Sequence, residues 1–207
     1  MSRTLIVGAS GSGKTTLLIK KLKKMKHGHS IVISSSAANQ PMYTENHKLF
    51  DEFYTSVNDD LIKKIIRMKS SNKMKNKNPF LVVFDDEGSD PYFTQRKNQL
   101  TKLWGNIRHH DIHMIMCLQE VTQVYPNYRK NADAAYIFAP TNLQEKTTLG
   151  NDFMGRYEPK IRNKIFDSVF TDDDEDKYNY LRMEKDGSKW NYHFKNDKEK
   201  FDPMQLD

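Results

Sequence analysis

The chain has 207 residues, long enough to bury a substantial core and short enough that one domain is the natural expectation. Hydrophobic residues at 37% and charged residues at 29% exclude the apolar-poor make-up of a wholly disordered chain, and a formal charge of +6 suits a polyanionic partner without requiring one. The one cysteine, Cys117, excludes an internal disulfide and a cysteine-built zinc cage; no apolar run nears the roughly 20 residues of a membrane span, and no signal-peptide layout opens the chain, so an intracellular setting is expected.

In chain order, Thr4 to Val7 is a short apolar run that predicts a strand, and a glycine-rich loop leads from it into a predicted helix, Lys14 to Met25, with Leu17, Leu18 and Leu22 at helical spacing. Ser30 to Ile33 predicts a second strand. After a polar stretch with Pro41, a helix is expected at Asp59 to Lys69, capped by Asn58 or Asp59, with Leu61, Ile62, Ile65, Ile66 and Met68 on one face. Lys69 to Asn78, rich in lysine and asparagine, is expected as an exposed loop.

Phe80 to Phe84 is apolar throughout, as in a strand covered on both faces, and it ends in Asp85, Asp86 and Glu87. Asp90 is expected to cap a helix with Pro91 in its first turn, carrying Tyr92, Leu100, Leu103 and Trp104. Ile112 to Leu118, closed by Gln119, and Tyr136 to Phe138 predict further strands; Leu143 to Phe153 and Lys160 to Phe170 predict helices, with an acidic loop at Asp172 to Asp176. Tyr178 to Glu184 and Lys189 to Phe194 flank Lys185-Asp186-Gly187-Ser188 as a hairpin would, expected as a C-terminal appendage of the same domain. Strands alternating with helices predict a mainly parallel sheet whose ligands gather at the carboxyl ends of its strands.

Gly8-Ala9-Ser10-Gly11-Ser12-Gly13-Lys14-Thr15 satisfies G-x-x-x-x-G-K-[ST] between a predicted strand and a predicted helix, the context that the mechanism of a phosphate-binding loop requires. Its glycines let backbone N–H groups, including that of Thr16, turn toward phosphate oxygens, with the helix amino end behind them. Lys14 would charge-pair with the β- and γ-phosphates of ATP, and the Thr15 hydroxyl would bind Mg²⁺. The expected fold is therefore α/β of the P-loop NTPase type, with a C-terminal β-hairpin. Asp85 is the expected metal residue, and Asp86 or Glu87 would orient or deprotonate an attacking water; the shifted assignment, Asp86 on the metal and Glu87 as base, fits the same residues. If the strand before Gln119 lies between those of Val7 and Phe84, the Gln119 amide would face the γ-phosphate and sense its cleavage.

Hydrolysis of this kind is accelerated by an arginine, often from a neighbouring subunit, and Arg108 and Arg129 are the candidates, with Arg96, Arg156 and Arg162 less well placed. Basic stretches at Lys20 to Lys26 and at Lys63 to Lys77 could touch a nucleic-acid backbone or form solvated faces. His109, His110 and His113 lack convincing ligand partners, and Cys117 reads as packed within its strand.

The succession GASGSGKTT, FLVVFDDE, NIRHHDIHMIMCLQ and YPNYRKNADAAYIF resembles the poxvirus-type genome-packaging ATPases of the FtsK and HerA superfamily, as a small viral or virophage member, from about Arg3 to Phe138. The hairpin at Tyr178 to Phe194 resembles that family's C-terminal end. The resemblance implies a homo-oligomeric ring that hydrolyses ATP to drive double-stranded DNA into a capsid, with capsid or portal-vertex proteins as partners and the host cytoplasm or the virion as its place. It matches Lys14 and Thr15 to the phosphate and metal ligands, Asp85 and Asp86 to the acidic pair and Gln119 to the polar sensor. Family members often carry one aspartate followed by glutamate, so the Asp85-Asp86-Glu87 run leaves the base open. Two other readings keep the same loop: a nucleoside or nucleotide kinase, which would need a lid of arginines and an acceptor pocket, and a non-hydrolysing assembly switch, which would need neither the acidic pair nor Gln119.

Overall fold

Runs that are apolar at every position can be satisfied only by strands covered on both faces, and such strands pair in parallel. The computed structural model describes residues 1–36, 40–71, 78–86, 90–171, 178–187, 189–194 and 199–201. In it β1 (Arg3–Val7), β2 (His29–Ile33), β3 (Glu52–Tyr54), β4 (Phe80–Asp85), β5 (Ile112–Leu118) and β6 (Ala134–Ile137) pair in parallel. Beyond them β7 (Leu181–Asp186), β8 (Lys189–Phe194) and β9 (Glu199–Phe201) pair antiparallel, and the described strands form one sheet in the order β3-β2-β4-β5-β1-β6-β7-β8-β9. The hairpin thus continues the main sheet, because β7 takes the free edge of β6. The expected α/β fold with a mainly parallel sheet and a C-terminal hairpin is observed.

The helices are α1 (Lys14–Leu22), α2 (Pro41–Glu45), α3 (Asp59–Ser70), α4 (Gln99–His110), α5 (Pro126–Lys130), α6 (Leu143–Phe153) and α7 (Pro159–Val169). Side chains alternate across a strand, and this sorts the core into two layers. Phe80, Val82 and Phe84 of β4 share one cluster with Ile62 of α3 and Trp104 of α4. Leu81 and Val83 share the other with Leu18 and Leu22 of α1 and Tyr43 of α2. On β5, Ile115 and Cys117 belong to the α1 layer, while Met114, Met116 and Leu118 belong to the opposite one. The same alternation sends Asp85 and Gln119 toward α1, so the strand period places two candidate site residues before any loop is considered.

Two expectations are corrected. Lys69 does not open an exposed loop: α3 runs on to Ser70, and Lys69, one helical turn past the buried Ile65, is itself buried with its Nζ 2.7 Å from the Asp111 carboxylate. Composition could not reveal this, because the partner lies on the turn before β5; the lysine-rich residues 72–77 and the acidic residues 172–176 lie outside the described part. Nor does Asp90 cap the helix that carries Trp104. It accepts a hydrogen bond from the Tyr92 backbone N–H (2.8 Å) at a single 3₁₀ turn, Pro91–Phe93. A second start follows, where Asn98 Oδ1 accepts from the Thr101 N–H at 2.7 Å and begins α4. With two good N-caps eight residues apart, the one adjoining the apolar periodicity sets the helix.

The amino edge of the sheet is tied by Arg3, whose Nε and Nη2 donate to the two Asp133 oxygens at 2.9 and 2.8 Å, with the Arg3 backbone N–H on Oδ2 at 2.9 Å. Burial alone would raise the Asp133 carboxyl, but these bonds outweigh it and hold the group below its ordinary value. Asp133→Ala is expected to cost about 2 kcal/mol, since it leaves a half-buried guanidinium without its partner. A lowered carboxyl stabilises above the unfolded value, so urea unfolding of the two proteins should differ fully above roughly pH 4 and converge as pH falls below it.

Candidate functional site

The loop after β1 is fixed by its flanking strands: the Gly8 N–H donates to the Leu118 carbonyl at 3.1 Å, and the Phe138 N–H donates to the Val7 carbonyl at 2.8 Å. Only glycine fits at position 8, where a Cβ would stand 2.6 Å from Phe138 Cβ. Gly13, the residue before α1, has φ 98°, a left-handed conformation that other residues enter only with strain. The loop therefore folds back, with the Ser12 N–H on the Ala9 carbonyl at 3.2 Å, and the unpaired N–H groups of the first turn of α1 open onto a cavity of about 680 Å³.

Lys14 is buried, and its Nζ donates to the Gly8 and Ala9 carbonyls at 2.7 and 2.8 Å. Burial pushes its ammonium below the ordinary lysine value, against the pull of Cys117, Asp85 and Asp86. Asp85, only 2% exposed, faces the loop as the strand period requires. Its Oδ2 accepts from the Tyr43 hydroxyl at 2.5 Å and from the Thr15 hydroxyl at 3.3 Å, and the Cys117 thiol donates to the same carboxylate. Burial raises the Asp85 carboxyl above its usual range and the Asp86 charge adds to this, while Tyr43, Cys117 and Lys14 oppose it. Asp86 itself takes φ 61°, which turns its side chain off the strand, and the Gln119 Nε2 amide donates to its Oδ1. Gln119 is held in turn by its backbone N–H on Gln123 Oε1 at 3.1 Å.

The folded chain thus brings Ser10, Gly11, Gly13, Lys14, Thr15 and Thr16 to the wall of one cavity with Asp85, Asp86 and Gln119, while of the other expected loop residues Gly8, Ala9 and Ser12 do not line it and the Gly8 and Ala9 carbonyls hold Lys14. Glu87 lies outside the described residues. The donor set suits a hard divalent cation shared with a phosphate: one hydroxyl and one carboxylate oxygen within 3.3 Å of each other, leaving other positions for phosphate and water oxygens. Among the described residues no three His, Cys, Asp or Glu side chains group to hold a metal alone, and a nucleotide-bound Mg²⁺ needs no such group.

The two candidate arginines take different places. Arg108 is not at the carboxyl edge of the sheet: its guanidinium is 75% exposed beside Asp133 at 4.0 Å, at the amino edge, because α4 runs back along the sheet before β5 begins there. Arg129 is buried, with Nε on Asp152 at 2.5 Å and Nη1 on the Val121 and Val124 carbonyls at 3.2 and 2.9 Å, so it clamps the segment after Gln119. Sequence reasoning missed Tyr43, Phe138, Tyr178 and Tyr180 as lining or supporting residues. Pro41 could have signalled the short helix that carries Tyr43, but nothing in spacing links that ring to a carboxylate 42 residues away.

A family model described as Poxvirus A32 protein matches residues 2–142, more than half of the chain. The chain belongs to that family. Curated relatives include uncharacterized protein 075L of Invertebrate iridescent virus 6, 28% identical over 68% of this chain and 55% of the relative, and uncharacterized protein 015R of Frog virus 3, 22% identical over 81% and 53%. The chain therefore spans about half the length of these relatives. Among solved structures, B204, the DNA-packaging ATPase from Sulfolobus turreted icosahedral virus, superposes with a TM-score of 0.66 at 17% identity, covering 93% of this chain and 96% of that one. A B204 structure from Sulfolobus turreted icosahedral virus 2, in complex with ATP-gammaS, gives 0.65 over the same shares at 17% identity. At that identity the likeness establishes the fold.

Tyr43 supports the one carboxylate that meets Thr15. If Asp85 holds a nucleotide-bound Mg²⁺, Tyr43→Phe, which removes that hydroxyl while keeping the ring, should weaken metal binding by about tenfold or more. The Mg²⁺ concentration for half-maximal nucleotide binding, followed by calorimetry, should rise by that factor, with the larger deficit at the acid end of the pH range, where the raised Asp85 carboxyl protonates first.

Proposed function

We propose that this chain is an ATPase whose Mg²⁺-dependent hydrolysis of ATP drives double-stranded DNA into a viral capsid, working as a homo-oligomeric ring against capsid or portal-vertex proteins in the infected cell or virion. The observation that carries the reading is the pairing across one cavity of a phosphate-type loop ending in Lys14 and Thr15 with Asp85, Asp86 and Gln119. Membership of the Poxvirus A32 protein family supports it, and the packaging function stated for the structurally similar B204 proteins agrees with it.

In this reading the loop N–H groups and Lys14 bind the triphosphate, with Lys14 exchanging the Gly8 and Ala9 carbonyls for phosphate oxygens. Thr15 and Asp85 would hold Mg²⁺, which supplies positive charge against the β- and γ-phosphate oxygens when bound. The strand period supports Asp85 on the metal side, which leaves Asp86 beside it to orient the attacking water and take its proton. The water oxygen forms the new bond to the γ-phosphorus as the bond to the ADP oxygen breaks. Gln119, which contacts Asp86, sits where an amide can follow that change. The arginine that neutralises the transferred group comes from a neighbouring copy; Arg108 is exposed at the opposite edge, as a residue serving another subunit's site must be, whereas Arg129 is committed to Asp152.

Phosphate release by purified, assembled protein, with and without duplex DNA, tests the reading. DNA should stimulate release, and Lys14→Ala and Asp86→Asn should each lower turnover by about a hundredfold or more. Stimulation by a nucleoside acceptor instead of DNA would replace this reading with a kinase, and release indifferent to both would leave a nucleotide switch. Retained turnover in Asp86→Asn with loss in Glu87→Gln would move the base to Glu87.

A further inference from the structure

The two basic stretches of the chain fold into different surroundings. In the second, the described lysines each meet a carboxylate: Lys63 at 3.3 Å from Asp60, Lys64 at 3.7 Å from Glu52 and Lys69 at 2.7 Å from Asp111. In the first, Lys20, Lys21 and Lys24, at the carboxyl end of α1 and just past it, line a groove of about 240 Å³ with Arg182 and Glu184 of β7, floored by the buried Tyr136 and Tyr180. Strand alternation builds the far wall. Leu181 and Met183 enter the opposite core layer, so Arg182 and Glu184 face the α1 side, and the antiparallel pairing sets His193 beside Arg182 and Asn191 beside Glu184. Four cations of this groove share one carboxylate. Lys21 donates to the Tyr136 hydroxyl at 2.6 Å, and Arg182 meets Glu184 at 2.7 Å. Lys20 and Lys24 are exposed, and neither makes an ion pair among the described residues.

We propose that this groove, between the end of α1 and the β7–β8 hairpin, seats the nucleic-acid backbone, with Lys20 and Lys24 as phosphate contacts and Lys21 and Arg182 held behind them by Tyr136 and Glu184. The inference rests on the DNA reading and adds to it where the polymer touches the chain and by what chemistry. Flexible ammonium groups in excess over carboxylates attract repeated anions without demanding one fixed geometry. Lys20 and Lys24 are separated by about 6 Å at the helical rise, and phosphates of one duplex strand repeat about every 3.4 Å along the axis, so a single strand can meet both. The tyrosine rings are only 3% and 5% exposed, too covered to stack on bases. The contact is therefore to phosphodiesters and independent of sequence.

The test measures binding of the full chain to two duplexes of unrelated sequence against salt concentration, beside calorimetric affinities for Mg-ATP and for inorganic phosphate. Lys20 also lines the larger cavity of Lys14, so the first variant is at Lys24, which does not. Lys24→Ala should reduce the slope of log affinity against log salt by about 0.9 for both duplexes, the loss of one phosphate contact, with Mg-ATP affinity unchanged. Lys20→Ala added to it should reduce the slope by as much again, and Lys24→Arg should keep the slope. Lys102, exposed on α4 in the opposite layer, controls for net charge, and Lys102→Ala should leave the slope as it was. An unchanged slope in Lys24→Ala, an equal change in Lys102→Ala, a loss confined to inorganic phosphate or a matching loss for Mg-ATP would overturn the seat while leaving the DNA reading intact. If the unmodified chain binds neither duplex, the DNA reading falls and takes the seat with it.

Discussion

Two backbone hydrogen bonds, Gly8 N–H to the Leu118 carbonyl and Phe138 N–H to the Val7 carbonyl, fix where the glycine loop leaves the sheet. They extend the pairing of β1 with β5 and β6 one residue past the strand ends, so the loop opens with a neighbour on either side. One neighbour leads to Gln119 and, through the pairing of β5 with β4, to Asp85 and Asp86. The other is Phe138, followed across the next pairing by Tyr180 and Tyr178. The acidic and aromatic ends of the cavity are thus consequences of strand order, and they lie apart because β1 lies between their sources.

The acidic end concentrates groups that a dry interior disfavours. Burial pulls Lys14 down and Asp85 up, both toward neutrality, and the charges resist by facing one another. The uncharged donors Tyr43 and Cys117 complete the arrangement: burial raises both well above their ordinary values, so each stays protonated and donates to Asp85. A carboxylate supported by neutral donors keeps its negative charge available to a cation on its open side. A salt bridge in the same place would cancel that charge.

The parts of this site legible in sequence were those in which local spacing carries the geometry. The loop motif names its residues by fixed offsets, and alternation along β4 and β5 sends Asp85 and Gln119 to the α1 side. What was not legible depended on residues distant in the chain. Tyr43 reaches Asp85 only because α2 packs over β2 and β4, and Lys69 finds Asp111 only because β4 and β5 are neighbours. The capping signal at Asp90 was sound chemistry attached to the wrong helix, since each cap serves only its own first turn.

Arg129 shows how a residue can matter at such a site without entering it. The segment after Gln119 carries polar backbone into the interior, and it is met there by two charged side chains. Arg129 donates to the Val121 and Val124 carbonyls, while Glu145, buried at the start of α6, accepts from the Val121 N–H at 3.4 Å and from the Thr141 N–H at 2.9 Å. Asp152 on α6 balances Arg129, so both anchors of the segment trace back to one helix. Gln119 therefore takes its position from β5 on one side and from α6 on the other.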